Sequence, residues 1–145
     1  YPEKLIPTVI IKCLTNQKIP IYGNGKNIRD WLFVDDHVDA LIELSKKGII
    51  GQTYNIGGEN QISNIKIVNL ICSILDKNLP GKNKYNKLIT FVGDRLGHDF
   101  RYSIDLSKIK KDIKFKPKVN FEEGIKDTVI WYLNNKKWLL KKYKD

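Results

Sequence analysis

The sequence predicts an α/β fold in which helices alternate with short strands, and three observations carry that prediction. Apolar residues recur at three- and four-residue spacing in several segments, which is the period of a helix. Between those segments lie brief β-branched and aromatic runs bounded by Gly, Pro and Asn, which read as strands and turns. The chain has 145 residues, 41% apolar and 29% charged. That is enough for one domain with one core and too little for a cofactor domain plus a substrate domain.

The elements follow in order. Leu5, Ile6, Val9, Ile10, Cys13 and Leu14 predict an amphipathic helix over 3–15, with Pro2 at its start, where a missing N–H costs nothing. The string PIYGNGKN reads as a short strand and a Gly-Asn-Gly turn, and IRDWLFV (28–34) as a second strand. Asp35 and Asp36 are expected to cap a helix that carries Val38, Leu41, Ile42 and Leu44 and stops near Gly48. Residues 53–56 read as a brief strand ended by Gly57 and Gly58. Ser63 or Asn64 caps a helix over 65–77, 79–87 form a loop, and 88–92 form another strand. Asp105 caps a short helix over 106–112, and the last helix spans 121–136. No internal repeat is visible.

Composition excludes several classes. No stretch approaches the roughly 20 apolar residues of a spanning helix, and the N-terminus has no basic region followed by an apolar run and a small-residue cleavage site. A cytoplasmic protein is expected. Cys13 and Cys72 sit in apolar helical runs without metal-type spacing, so buried reduced thiols are expected. The formal charge of +10 raises nucleic acid as a partner, but the basic residues are spread. Only 136–144 (KKWLLKKYK) is dense, and that reads as the solvated end of an amphipathic helix.

Lysine supplies nearly all of this charge; the only arginines are Arg29, Arg95 and Arg101. A guanidinium offers a planar fork that grips carboxylate or phosphate in a bidentate way, so these three mark candidate anion contacts. His98 lies between two of them, beside Asp94 and Asp99, in a glycine-containing loop after a strand. Its spacing suits either an anion site or a structural ion-pair cluster. His37, after two aspartates, reads as a surface or capping residue. The glycine strings GNGKN and NIGGEN match neither the dinucleotide fingerprint nor the P-loop pattern and read as turns. Tyr22/Lys26 and Tyr132/Lys136 have Tyr-x-x-x-Lys spacing. The first pair spans a glycine turn and the second has no cofactor motif before it, so neither is read as a catalytic pair.

Six strings together carry a family likeness: PEKLIP (2–7), PIYG (20–23), IRDWLFVDDH (28–37), TYNIGG (53–58), DRLGHDFRY (94–102) and WYL (131–133). In order and approximate spacing the chain resembles the dTDP-glucose 4,6-dehydratases of the extended short-chain dehydrogenase family. The resemblance implies the C-terminal sugar-nucleotide-binding part, residues 1–145, of an enzyme whose NAD-binding Rossmann domain and catalytic residues precede this sequence. In such an enzyme NAD takes a hydride from carbon 4 of the sugar, water leaves across carbons 5 and 6, and the hydride returns to carbon 6. A homodimer is implied for the intact enzyme, and nucleic acid is not expected as a partner. The resemblance places Lys4 and Leu5 at the nucleotide and Pro20, Ile21 and Tyr22 along base and sugar. Arg29 falls at the diphosphate and Asn64 near the nucleotide, with Asp94, Arg95, Leu96, Gly97 and His98 closing over it. Leu96 stands where the family usually has proline. A related epimerase, decarboxylase or other nucleotide-sugar dehydratase shares this architecture and remains an alternative, as does, from another class, a basic module for nucleic acid.

Overall fold

In a computed structural model the described residues are 3–144, so Pro2 lies outside them. The first helix, α1, runs Leu5–Leu14 and is apolar on most of its circumference, burying Pro7, Val9, Ile10, Ile11 and Cys13. Strand β1 (Ile19–Tyr22) follows, then β2 (Ile28–Asp30) and α2 (Val34–Lys47). Strand β3 (Gln61–Ser63) leads into α3 (Asn64–Asn78), and a single 3₁₀ turn over Tyr85–Leu88 leads into β4 (Ile89–Val92). The chain ends in α4 (Ser107–Ile113), α5 (Phe121–Asn134) and α6 (Lys136–Lys144).

The strands form two small sheets. β1 pairs with β4 in parallel, Ile19 opposite Ile89 and Tyr22 opposite Val92. β2 pairs with β3 antiparallel, Ile28 opposite Ser63 and Asp30 opposite Gln61. The main core lies where α1, α3 and α5 pack together over β1, with Val9, Ile10, Ile67, Val68, Ile71, Leu75 and Val129 wholly buried. A smaller core under α2 and α4 holds Ala40, Leu106, Ile109, Ile113 and Phe115. Cys13 and Cys72 are free and buried in the main core, as expected.

Four expectations are corrected. Residues 53–56 form no strand, whereas 61–63 do, because Trp31 N–H donates to the Asn60 carbonyl (3.0 Å) and draws the later segment onto β2. The strand expected over 28–34 ends at Asp30, and α2 already begins at Val34. Asp35 and Asp36 do not cap α2; they lie in its first turn, after Phe33 at the cap position. Asp36 is buried and accepts the backbone N–H groups of Lys118 (2.9 Å) and Val119 (3.1 Å), tying α2 to the approach of α5. Finally, the helix expected over 121–136 breaks at Asn135 into α5 and α6.

Among the described residues no helix is long and apolar enough to cross a membrane. Nor does any group of three or more His, Cys, Asp or Glu side chains there form a metal site.

Candidate functional site

Four of the residues that the sequence singles out, Tyr22, Asp94, Arg95 and His98, are drawn together at the end of the β1/β4 sheet. Tyr22 closes β1 with its ring 43% exposed, and the chain after β4 returns over it. The guanidinium of Arg95 lies 5.0 Å from the centre of the Tyr22 ring, and the His98 imidazole meets the same ring edge-on at 6.4 Å. His98 Nδ1 lies 2.6 Å from Asp94 Oδ1, the oxygen that also accepts the Arg95 backbone N–H at 2.8 Å. That imidazole contact, with Arg95 nearby, holds the Asp94 carboxyl below the usual carboxylate range. The His98 side chain is only 4% exposed, and its other nitrogen, Nε2, is buried with no hydrogen-bond partner.

The turn that makes this arrangement is short. His98 N–H donates to the Arg95 carbonyl (3.2 Å), and Gly97 stands at φ +68°. A left-handed third position is the pattern of a type II turn, whose second position favours proline without requiring it. Leu96 occupies that second position and is fully exposed, so its difference from the family pattern sits on the outside of the turn.

Arg29, in the middle of β2, lies beside this cluster. Its guanidinium stacks 4.4 Å from the centre of the Tyr102 ring, and Nη1 donates to the Ile28 carbonyl at 2.7 Å. The two pairs are linked through Asp99, which follows His98 in the chain and accepts the Tyr102 phenol O–H, a bond that holds the phenol above the ordinary tyrosine range. Among the described residues neither guanidinium is paired with a carboxylate. Arg101 differs. It donates through Nε to Gln61 Oε1 at 3.0 Å and through Nη2 to the same oxygen, so its fork is spent within the protein.

The remaining residues divide. Asn64 opens α3, and its backbone N–H donates to the carbonyl of Asn27, which is 5% exposed and whose side chain donates to the Asp99 carbonyl (3.3 Å); Asn64 thus borders the site. Pro20 is half-buried on β1. Ile21 is 2% exposed and points into the main core, so a place along the base and sugar would fall to its backbone. Lys4 is exposed and pairs with Glu3 at 3.3 Å, and Leu5 rests against the main core. No hydrogen bond, ion pair or ring contact among the described residues joins Lys4 or Leu5 to the arginine cluster. Sequence reasoning set Asp99 beside His98 but missed Tyr102 and Asn27, although Tyr102 stands inside the DRLGHDFRY string.

An apolar groove of about 600 Å³ lies elsewhere, between residues 31–35 and α5, with Trp31, Phe33, Phe121 and Trp131 among its walls. Its charged groups are Asp35 and Asp127, so its electrostatics suit an anion poorly.

The family model described as GDP-mannose 4,6 dehydratase matches residues 1–128. A dTDP-glucose 4,6-dehydratase of Escherichia coli is 51% identical over 142 residues, which are 95% of this chain and 39% of that protein. The crystal structure of the Bacillus anthracis dTDP-glucose 4,6-dehydratase in complex with NAD superposes with a TM-score of 0.83 at 44% identity, covering 95% of this chain and 42% of that one. DesIV, the dTDP-glucose 4,6-dehydratase of Streptomyces venezuelae, solved with NAD and TYD bound, gives 0.82 at 36% identity over 95% of this chain and 41% of that one. The chain thus spans about two fifths of the length of these relatives. On the match of the family model to most of its length, the chain belongs to the GDP-mannose 4,6 dehydratase family.

Proposed function

We propose that residues 1–145 form the sugar-nucleotide-binding domain of a dTDP-glucose 4,6-dehydratase, and that the diphosphate of a dTDP-sugar is held at the Arg29 and Arg95 cluster. The observation that carries this reading is that the guanidiniums of Arg29 and Arg95 each stack on a tyrosine and that, among the described residues, neither is taken by a carboxylate. Two such forks match the geometry of a diphosphate. Tyr22 supplies a flat surface for a pyrimidine, and the orphaned His98 Nε2 gains a partner from a phosphate or sugar oxygen. Binding so far from the reacting carbons serves rate as well as affinity, because it fixes the sugar where chemistry occurs.

The two glycine strings GNGKN and NIGGEN do not cradle NAD. At Gly25 an added Cβ would stand 2.7 Å from Ile21 Cγ2, and at Gly58 only 1.9 Å from the Trp31 carbonyl. Protein atoms fill the space over both glycines, so these turns pack the fold and leave no cradle for a pyrophosphate. On this reading the nicotinamide cofactor and the groups that transfer hydride and protons are supplied from outside residues 1–145, and this chain by itself has no dehydratase activity. Such an intact enzyme works in the cytoplasm as a homodimer.

Titration calorimetry with dTDP, GDP and UDP, beside a nonspecific DNA duplex at two salt concentrations, tests the reading. Saturable binding with dTDP preferred supports it. Preference for GDP would move the assignment to a GDP-sugar dehydratase, which the family model's description favours. DNA affinity with a steep salt dependence and no response to dTDP would replace it with a basic binding module. Turnover of dTDP-glucose by the purified chain above a blank would refute the expectation of inactivity.

A further inference from the structure

Tyr102 is half-exposed, yet its ring is held from both sides. Its phenol O–H donates to the Asp99 carboxylate. The Asp99 backbone is fixed in turn, because its carbonyl accepts from the side chain of the buried Asn27. On the other side, the Tyr102 backbone N–H donates to the Ile28 carbonyl at 3.1 Å, and Ile28 N–H donates to the Phe100 carbonyl at 2.7 Å, so residues 100–102 lie along β2. The Ile28 carbonyl that receives Tyr102 N–H also receives Arg29 Nη1. The Tyr102 backbone and the Arg29 guanidinium are therefore anchored to one carbonyl, and the Tyr102 ring stacks on the guanidinium.

We propose that Tyr102 is the positioning residue for Arg29: an aromatic platform, braced by Asp99, that orients the guanidinium for a diphosphate without consuming the donors of its fork. A carboxylate partner could orient Arg29 as well, but it would occupy the hydrogen bonds that the ligand needs and neutralise the charge that attracts it. A π-face does neither. It attracts the cation through the ring quadrupole and leaves the in-plane N–H groups pointing outward, of which only one here is used internally. Arg101 shows the contrast in the same strand neighbourhood, since Gln61 has taken the Nε and Nη2 edge of its fork.

This inference rests on the proposed binding of a nucleoside diphosphate, and its test separates the two. Calorimetry with dTDP is run on the 145-residue chain and on the variants Tyr102→Phe, Tyr102→Leu, Arg29→Ala and the double variant Tyr102→Leu/Arg29→Ala. Tyr102→Leu is expected to weaken binding by about threefold, the scale of an exposed cation–π contact. Tyr102→Phe keeps the ring and should retain most of the affinity. The decisive comparison is the cycle: once Arg29 is gone, Tyr102→Leu should cost nothing further. If Tyr102→Leu weakens binding equally with and without Arg29, the ring acts by some other route and the proposal is overturned. Full affinity in Tyr102→Leu while the parent binds also overturns it. If the parent itself does not bind dTDP, the functional reading fails and this inference fails with it.

Discussion

Asp36 is the only charged side chain buried among the described residues, at 2% exposure, and removing it should damage the fold more than any other single surface-polar change. Each carboxylate oxygen accepts one backbone N–H, Oδ1 from Lys118 at 2.9 Å and Oδ2 from Val119 at 3.1 Å. Asp36→Ala deletes both acceptors and leaves two amides short of a partner in a partly buried place. A hydrogen bond to a charged group contributes about 1.5–3 kcal/mol, and water reaches part of this site, so a loss of about 3 kcal/mol is expected for the pair. That is a large share of the roughly 5–15 kcal/mol that holds a typical domain together. Asp36→Asn keeps one acceptor and turns an NH₂ toward the other amide, and should cost somewhat less. Urea unfolding followed by far-ultraviolet circular dichroism measures both, with an unchanged m-value showing that only stability moved. Asp35 controls for the helix dipole: it shares the first turn of α2 but is exposed, so Asp35→Ala should cost under about 1 kcal/mol. If Asp36→Ala and Asp35→Ala prove equal, the clamp on residues 118 and 119 is not what the buried carboxylate contributes.

Three further outcomes are expected. Arg29→Lys keeps the charge but loses the planar fork, and should weaken dTDP binding by roughly 1–3 kcal/mol in calorimetry, while Lys136→Ala, far along the basic tail, leaves it unchanged. The Asp94 carboxyl is depressed in the folded chain, so its contact with His98 favours the folded state at pH values above the unfolded carboxylate pKa and is lost as pH falls through the folded value; NMR titration should show His98→Ala raising the Asp94 pKa. The face of α2 that bears Val38, Leu41 and Ile42, with Ile49 and Ile50 beyond it, is exposed, so the isolated chain should bind ANS and self-associate, and Leu41→Lys with Ile42→Glu should reduce both.

Most of the helices were legible because their apolar spacing coincides with their burial. In α1 and α3 the repeating Ile, Val, Leu and Cys positions are the core positions, and the observed ends lie within two residues of those expected. In α2 the same pattern marks a side that this domain does not cover. Val38, Leu41 and Ile42 face outward, and the buried positions are Ala40 and Asp36, one small and one charged. Periodicity reports that a helix has an apolar side, and it cannot say whether that side meets this domain or something beyond it. The strands β1 and β4 fall where expected, whereas the strand expected over 53–56 failed for a related reason. A three-residue strand such as β3 has almost no pattern of its own and exists because Asn60, Gln61 and Ser63 find partners about 30 residues earlier.

The site was legible where the residue type alone carries the chemistry and obscure where geometry assigns it. Three arginines in a lysine-rich chain announced themselves, yet their fates differ, and what separates them is register. Arg101 and Tyr102 are adjacent in sequence. The bridge between Ile28 and Arg101 sets them beside β2 so that one donates its fork to Gln61 and the other lies under Arg29. A shift of one residue along β2 would exchange these neighbours, since alternate residues of an extended segment face opposite sides. No composition or spacing within DRLGHDFRY reveals that register, because it is fixed by Asn27 and Ile28, some 70 residues away. The chemistry of an anion site can thus be read from scarce residues, whereas which of them stays free to use it is decided only when two distant segments are laid side by side.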